Sequence, residues 1–208
     1  MSEKKFLEAV KKLREEKTER KFDQTLDLIV NLKNFDIRRE AFSIFIEVPN
    51  KIKEKRIAGF LEKESKAVDT IVKDNFAKYK EKKDIKKLVK NYDFFIANAK
   101  LMPLVATSFG RVLGPAGKMP SPQLGILVNE DEKTINALKQ KINSTVRIKV
   151  KEPSIKIGAA RQSNSDEEIV RNIMAVYNKL VETLPKKKDN IRNIKIKFTM
   201  GKPVLVEI

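Results

Sequence analysis

The sequence predicts a mixed α/β chain of two domains, the second inserted into the first, and three observations carry that prediction. Residues towards both ends alternate apolar and polar with a period of two, as strands with one wet face do. The middle holds short continuous apolar runs separated by stretches at helical spacing, the pattern of a mostly parallel sheet layered with helices. The texture changes at Pro49-Asn50 and reverts after Ser144. The discontinuous terminal domain is therefore placed at 1–50 and 146–208 and the insert at 51–145, with the two crossings expected to act as a hinge.

The elements follow in order. Phe6, Val10 and Leu13, with Leu7 beside Phe6, recur at helical spacing among Lys and Glu, which predicts an amphipathic N-terminal helix. Leu26, Leu28, Val30 and Leu32 alternate with Asp27 and Asn31, and Phe42, Ile44, Ile46 and Val48 repeat the pattern; two half-buried antiparallel strands are expected. In the insert, Ile57 to Leu61 and Tyr92 to Ala97 read as strands. Ala67, Val68, Ile71 and Val72 read as a helix, as do Ile85 to Val89, Leu104 to a stop near Gly114-Pro115, and Ile135 to Ile142. After Ser144, Val146, Ile148 and Val150 form a strand with Ser154 to Gly158 as a possible partner. Ile169 to Leu180 form a long helix opened by Ser165 and Glu168, a capping box in which each side chain satisfies the other's backbone donor. Pro185 and Lys186 to Lys188 make a loop, and Ile191 to Phe198 and Val204 to Ile208 close the chain as strands.

Composition limits the chemistry. Lys and Arg number 45 against 28 Asp and Glu, a formal charge of +17 over 208 residues, and such an excess repels itself unless a polyanion offsets it. A lysine-rich surface adopted for solubility is the alternative, but it normally brings matching glutamate, and here the acids fall short. The charge is not localised: residues 51–145 hold 20 basic and 11 acidic side chains, net +9, leaving 25 and 17, net +8, for the flanks. Cysteine and histidine are absent, which removes disulfides, thiol chemistry, zinc fingers, the commonest general base and the commonest metal ligand. No apolar run approaches the roughly 18 residues of a membrane span, and Met-Ser-Glu-Lys-Lys is not a signal peptide, so a soluble intracellular protein is expected. Glu130-Asp131-Glu132 is the one tight acidic cluster of the insert. A metal-dependent phosphotransfer or nuclease site would need such a group, but acids ahead of Ile135, Leu138 and Ile142 equally favour a helix start.

The most distinctive stretch is Gly110 to Pro122, Gly-Arg-Val-Leu-Gly-Pro-Ala-Gly-Lys-Met-Pro-Ser-Pro. A phosphate-binding loop is rejected, because Val112 and Met119 stand where that motif needs Gly and Ser or Thr around Gly117-Lys118. On physics alone it is a helix end followed by a rigid loop with an exposed cation.

Together with Leu101-Met102-Pro103-Leu104-Val105 just before it, this stretch closely resembles the signature of the universal large-subunit ribosomal protein L-one family. Two further matches lie in the right order, Lys21-Phe22-Asp23-Gln24-Thr25 and Phe198-Thr199-Met200-Gly201, so the resemblance spans almost the whole chain and looks closest to the archaeal branch. It implies a discontinuous first domain of both termini and an inserted, three-layer Rossmann-like second domain. It implies a structural constituent of the large subunit, not an enzyme, that needs no cofactor and no metal. The partners implied are large-subunit rRNA at the mobile lateral stalk, deacylated tRNA at the exit site and the protein's own messenger, whose translation members repress. No membrane partner is implied, and the free protein is expected to be a monomer in the cytoplasm. A nonribosomal assembly factor built on the same domain is the alternative; such relatives lose the terminal signature kept here.

The residues that resemblance marks suit an RNA surface. An A-form helix displays 2′-hydroxyls in a shallow minor groove, which short polar groups and bare backbone can reach. Thr25 and Thr199 offer hydroxyls that donate and accept; Gly201 carries no side chain to hold ribose away, and Met200 supplies an adaptable apolar contact. Lys21 adds a charge beside Phe22, which either keeps the strand in register as core or packs on a sugar or base. Departures from the family leave Arg161 as a candidate phosphate ligand, where Ala159 to Ser163 replaces a Lys-Ala-Ser-Phe-like stretch, and Arg38 and Arg39 as phosphate partners on a short connection. Arg111 and Lys118 are candidates for secondary RNA or tRNA contacts.

Overall fold

The computed structural model describes residues 3–15, 20–79 and 81–206, and within them the chain divides into two compact units, Met1–Lys53 with Ser144–Ile208, and Glu54–Asn143. The order begins α1 (Glu3–Glu15), β1 (Thr25–Leu32), α2 (Ile37–Glu40), β2 (Ser43–Glu47), β3 (Ile57–Leu61) and β4 (Asp69–Val72). It continues α3 (Lys82–Asn91), β5 (Phe94–Asn98), α4 (Met102–Ala116), β6 (Ile126–Leu127) and α5 (Glu132–Asn143). The chain closes with β7 (Thr145–Lys149), β8 (Ser154–Arg161), α6 (Asp166–Thr183), β9 (Ile191–Phe198) and β10 (Val204–Val206). The last two residues of the closing strand expected from sequence, 207 and 208, lie outside the described residues.

In the terminal unit, β10, β9, β1 and β8 form an antiparallel sheet in that order. Strict alternation along β1 buries Leu26, Leu28, Val30 and Leu32 on one face and leaves Thr25, Asp27, Ile29 and Asn31 partly exposed on the other. The buried face packs on α1 and α6, where Phe6 meets Tyr177 edge to face at 6.1 Å. The capping box at the start of α6 is present as expected, with the Ser165 hydroxyl accepting from the Glu168 amide and Glu168 accepting from the Ser165 amide. Two strand partners differ from expectation. β7 pairs with β2 in a separate two-stranded ladder, and β8 pairs with β1. Alternation fixes which face of a strand is buried, whereas its neighbour is set by distant parts of the chain.

The inserted unit is a parallel sheet ordered β4-β3-β5-β6. One face, with Ala58, Phe60, Phe95 and Ala97, is covered by α3 and α4; the opposite residues Ile57, Leu61 and Ile96 are buried as well. Burial on both faces explains the continuous apolar runs. Residues 69–72 correct the helix expected from Ala67, Val68, Ile71 and Val72. They form β4, in parallel register with Ala58 to Leu61, because pairing with a buried strand outweighs a short helical spacing among β-branched residues. α4 runs through Pro115 to Ala116, one residue past the stop expected near Gly114-Pro115, and ends on Gly117, whose φ of 69° glycine adopts without strain. The amides of Gly117 and Lys118 return to the carbonyls of Gly114 and Leu113, closing the helix end. No helix among the described residues is long and apolar enough to cross a membrane.

Candidate nucleic-acid interface

The start of β1 and the ends of β8 and β9 lie together at one end of the four-stranded sheet, because antiparallel register places Thr25 opposite Arg161 and Leu26 opposite Phe198. Three loops meet there. The Thr199 hydroxyl donates to the Thr25 carbonyl at 3.1 Å and accepts from the Thr25 amide at 3.2 Å, and the Thr199 amide also donates to Thr25 O at 3.0 Å. Gln24, only 3% exposed, accepts from the Met200 amide on its Oε1 at 3.1 Å, while its carbonyl accepts from the Gln162 amide at 2.8 Å. Asp23 receives Ser163 through both amide and hydroxyl, and the Arg161 guanidinium donates to the Asp23 carbonyl at 3.0 Å.

The third loop is held from behind. Arg14 of α1 bonds the Asp166 carboxylate and the carbonyls of Gln162 and Asn164. The Asn164 side chain accepts from the Arg161 amide and donates to Glu168. That donation, with the Ser165 amide, holds the Glu168 carboxyl below the usual carboxylate range. The backbone carrying the candidate groups is thus fixed by a connected set of part-buried and exposed hydrogen bonds. Phe22 is 52% exposed and Met200 59%, and Lys21 and Thr199 are also exposed. The exposure of Phe22 removes the plain-core reading.

Two glycines differ in meaning here. A Cβ on Gly158 would meet Thr25 Cγ2 at 3.0 Å, so this position must stay bare for Thr25 to sit as it does. Nothing inside the fold asks for glycine at 201. Its φ is not positive, and a Cβ there would make ordinary contacts at 3.6 Å or more. The bare backbone at 201 is a property of the surface, suited to close approach by something outside the protein.

Lys21, Phe22, Thr25, Arg161, Thr199, Met200 and Gly201 are therefore gathered into one patch. Arg38 and Arg39 are not. They follow the far end of β1, about 23 Å away at ~3.3 Å per residue, on a short turn capped by Asp36, which also pairs with Arg39 at 3.7 Å. Arg111 is exposed on α4 in the inserted unit. Lys118 corrects the exposed-cation reading: it is half-buried and its ammonium donates to the carbonyls of Val89 and Tyr92 at 2.7 and 2.6 Å, closing the C-terminal end of α3. Lys118→Met is expected to cost about 1 kcal/mol of stability, measured by denaturant titration; an unchanged midpoint would show that those bonds hold nothing.

The residue missed from sequence is Gln24. A polar side chain between exposed neighbours gave no sign of burial, though its place beside Thr25 in the Lys-Phe-Asp-Gln-Thr phrase was a hint. The acidic cluster also has an internal explanation. The Glu130 carboxylate accepts from the amides of Glu62 and Lys63 and from Asn98 Nδ2 at 2.8, 3.2 and 2.6 Å, tying the start of α5 to the ends of β3 and β5. Among the described residues no group of three acids, cysteines or histidines is placed to hold a metal ion.

Comparison with known proteins finds similarity along nearly the whole chain. A family model described as ribosomal protein L1p/L10e family matches residues 12–202. A protein of Nanoarchaeum equitans named large ribosomal subunit protein uL1 is 38% identical, covering 96% of this chain and 98% of its own. Proteins of the same name from Methanothermococcus thermolithotrophicus and Pyrococcus horikoshii are 35% and 33% identical, the former over the full length of both chains and the latter over 98% of this chain and 95% of its own.

Proposed function

Because the chain belongs to the ribosomal protein L1p/L10e family, we propose that it is a structural constituent of the large ribosomal subunit that grips folded rRNA of the lateral stalk with the loop end of its terminal sheet. The observation that carries this reading is the convergence of Thr25, Thr199, Met200 and Gly201, hydroxyls and bare backbone on a braced frame, with Phe22 exposed beside them. Such a surface suits ribose hydroxyls in a shallow groove, where large side chains would keep the sugars away. The positions are held before binding, so little ordering entropy opposes association.

Membership of the family supports extending the proposal in three further respects. The terminal unit anchors on rRNA near the tRNA exit site, and the inserted unit, with Arg111 exposed, aids release of deacylated tRNA. The same patch binds a similar fold in the protein's own messenger and represses its translation. Arg161 contributes charge to the patch, although its guanidinium also braces Asp23. Arg38 and Arg39 make a separate phosphate contact at the far end of the sheet.

Titration of a compact stalk rRNA fragment at several salt concentrations tests the proposal. With about five to eight phosphates neutralised, the log–log slope of affinity against salt is expected to be several units. Affinity indifferent to salt, or a protein that fails to co-sediment with large subunits from a cell extract, would remove it.

A further inference from the structure

We propose that the solvent face of the terminal sheet, through Lys156, Lys195 and Lys197, carries a phosphate track that continues the loop-end patch along the same RNA. The inference rests on the reading above and adds residues that neither the family phrases nor the loop geometry mark.

Register puts these side chains on one face. Asp27 pairs with Lys197 on one side and Gly158 on the other, Ile29 with Lys195 and Lys156, and Asn31 with Asn193 and Ser154. Directly paired residues project to the same face, which is the face opposite Leu26, Leu28 and Val30. Four rows therefore run from Thr25 to Asn31, about 20 Å at ~3.3 Å per residue, beginning at the loop-end patch. Leu205 stands outside Lys195 and is 53% exposed. The last row is fixed by hydrogen bonds from Asn31 Nδ2 to Asn193 at 2.6 Å and from the Ser154 hydroxyl to Asn31 at 2.7 Å.

Charge on this face is one-sided. Among the described residues Asp27 is the only acid in the four rows, and partial burial pushes its carboxyl up, with Lys197 acting against that rise. Among the described residues the ammonium groups of Lys156 and Lys195 have no hydrogen-bond or ion-pair partner. The two flank Ile29 from opposite strands, about 10 Å apart at ~4.8 Å per strand. Cations on a fixed lattice with an apolar strip between them suit a sugar–phosphate backbone, with phosphates on the ammonium groups and sugar edges on Ile29. Antiparallel sheets normally keep a wet face polar and of mixed charge; a stripe of lysines beside a candidate RNA patch has a use in binding that it lacks in folding.

The test is the salt dependence of binding to the rRNA fragment by the full chain, its Lys156→Gln/Lys195→Gln/Lys197→Gln variant, and a control, Lys82→Gln/Lys83→Gln/Lys86→Gln, which removes three exposed charges from α3. Each phosphate contact contributes roughly 0.7–0.9 to the slope, so the sheet variant is expected to lose about two units of slope and on the order of tenfold or more in affinity near 0.15 M salt, while the control keeps both. Equal slopes for wild type and sheet variant would overturn the inference and leave the loop-end site standing. Equal losses in both variants would overturn it too, by reducing the effect to net charge. Wild-type protein without salt-dependent binding would remove the parent reading and this one with it. Circular dichroism confirms that each variant is folded.

Discussion

Phe109→Ala is expected to remove about 3–5 kcal/mol from the stability of the inserted unit while leaving rRNA affinity within about threefold, less than ~1 kcal/mol. Phe109 is fully buried and forms the centre of an aromatic cluster, with ring centroids 4.9 Å from Phe60, 5.1 Å from Phe76 and 5.9 Å from Tyr79. Phe60 in turn stacks on Phe95 at 5.7 Å, so the cluster joins α4 to β3 and β5. Truncation loses the transfer free energy of the ring and opens a cavity that flat, mutually supporting neighbours cannot easily close. Hydrogen exchange resolved by residue is the suitable readout, since it reports opening of each unit separately. Amides of β3 and β5 are expected to lose protection, while those of β1 and β9 keep it. Undiminished protection in β3 would refute the packing argument. A drop in RNA affinity beyond tenfold would mean that the insert takes a direct part in gripping rRNA.

The sequence displays the terminal unit more openly than the insert, and the physical reason is exposure. A strand with one wet face shows its orientation in every residue, so Thr25 to Leu32 is legible without knowledge of its neighbours. The capping box of Ser165 and Glu168 is local by nature and equally legible. In the insert both faces of β3 are buried, alternation disappears, and only run length separates strand from helix. At Asp69–Val72 four residues were too few to decide, and the parallel pairing that settles them comes from Ala58 to Leu61, across a loop.

The site divides the same way. The family phrases point to Thr25, Thr199, Met200 and Gly201, but cannot say that Gln24 turns inward to hold the Met200 amide. They also cannot say that Lys118, in the most distinctive phrase of the chain, closes α3 with its ammonium. In both cases a polar side chain is used internally, by partners far away in sequence. The lysines of the sheet face show the reverse. Lys156, Lys195 and Lys197 are plain alternation in sequence, and only the register through β1 sets them on one surface.

Thr199→Val and Met200→Ala are each expected to weaken rRNA binding by about 1–3 kcal/mol, roughly fivefold to more than a hundredfold, with the salt slope unchanged because neither residue carries charge. Valine keeps the shape of threonine, so the sheet end stays packed, but the hydroxyl that now donates to Thr25 O and accepts from Thr25 N is gone. The Thr199 amide still donates to Thr25 O, and the site is exposed, so water can take the freed groups in the unbound protein. The cost appears on binding, when RNA excludes that water and leaves the Thr25 amide unpaired. Met200→Ala strips an exposed apolar contact and touches no internal hydrogen bond, since the Met200 amide keeps Gln24. A gel-shift series at fixed salt, paired with thermal unfolding, separates the cases. Wild-type affinity in both variants would move the RNA contact away from the end of β9. Affinity lost together with a lowered midpoint would make Thr199 a part of the frame, with the patch resting on Met200, Gly201 and Phe22.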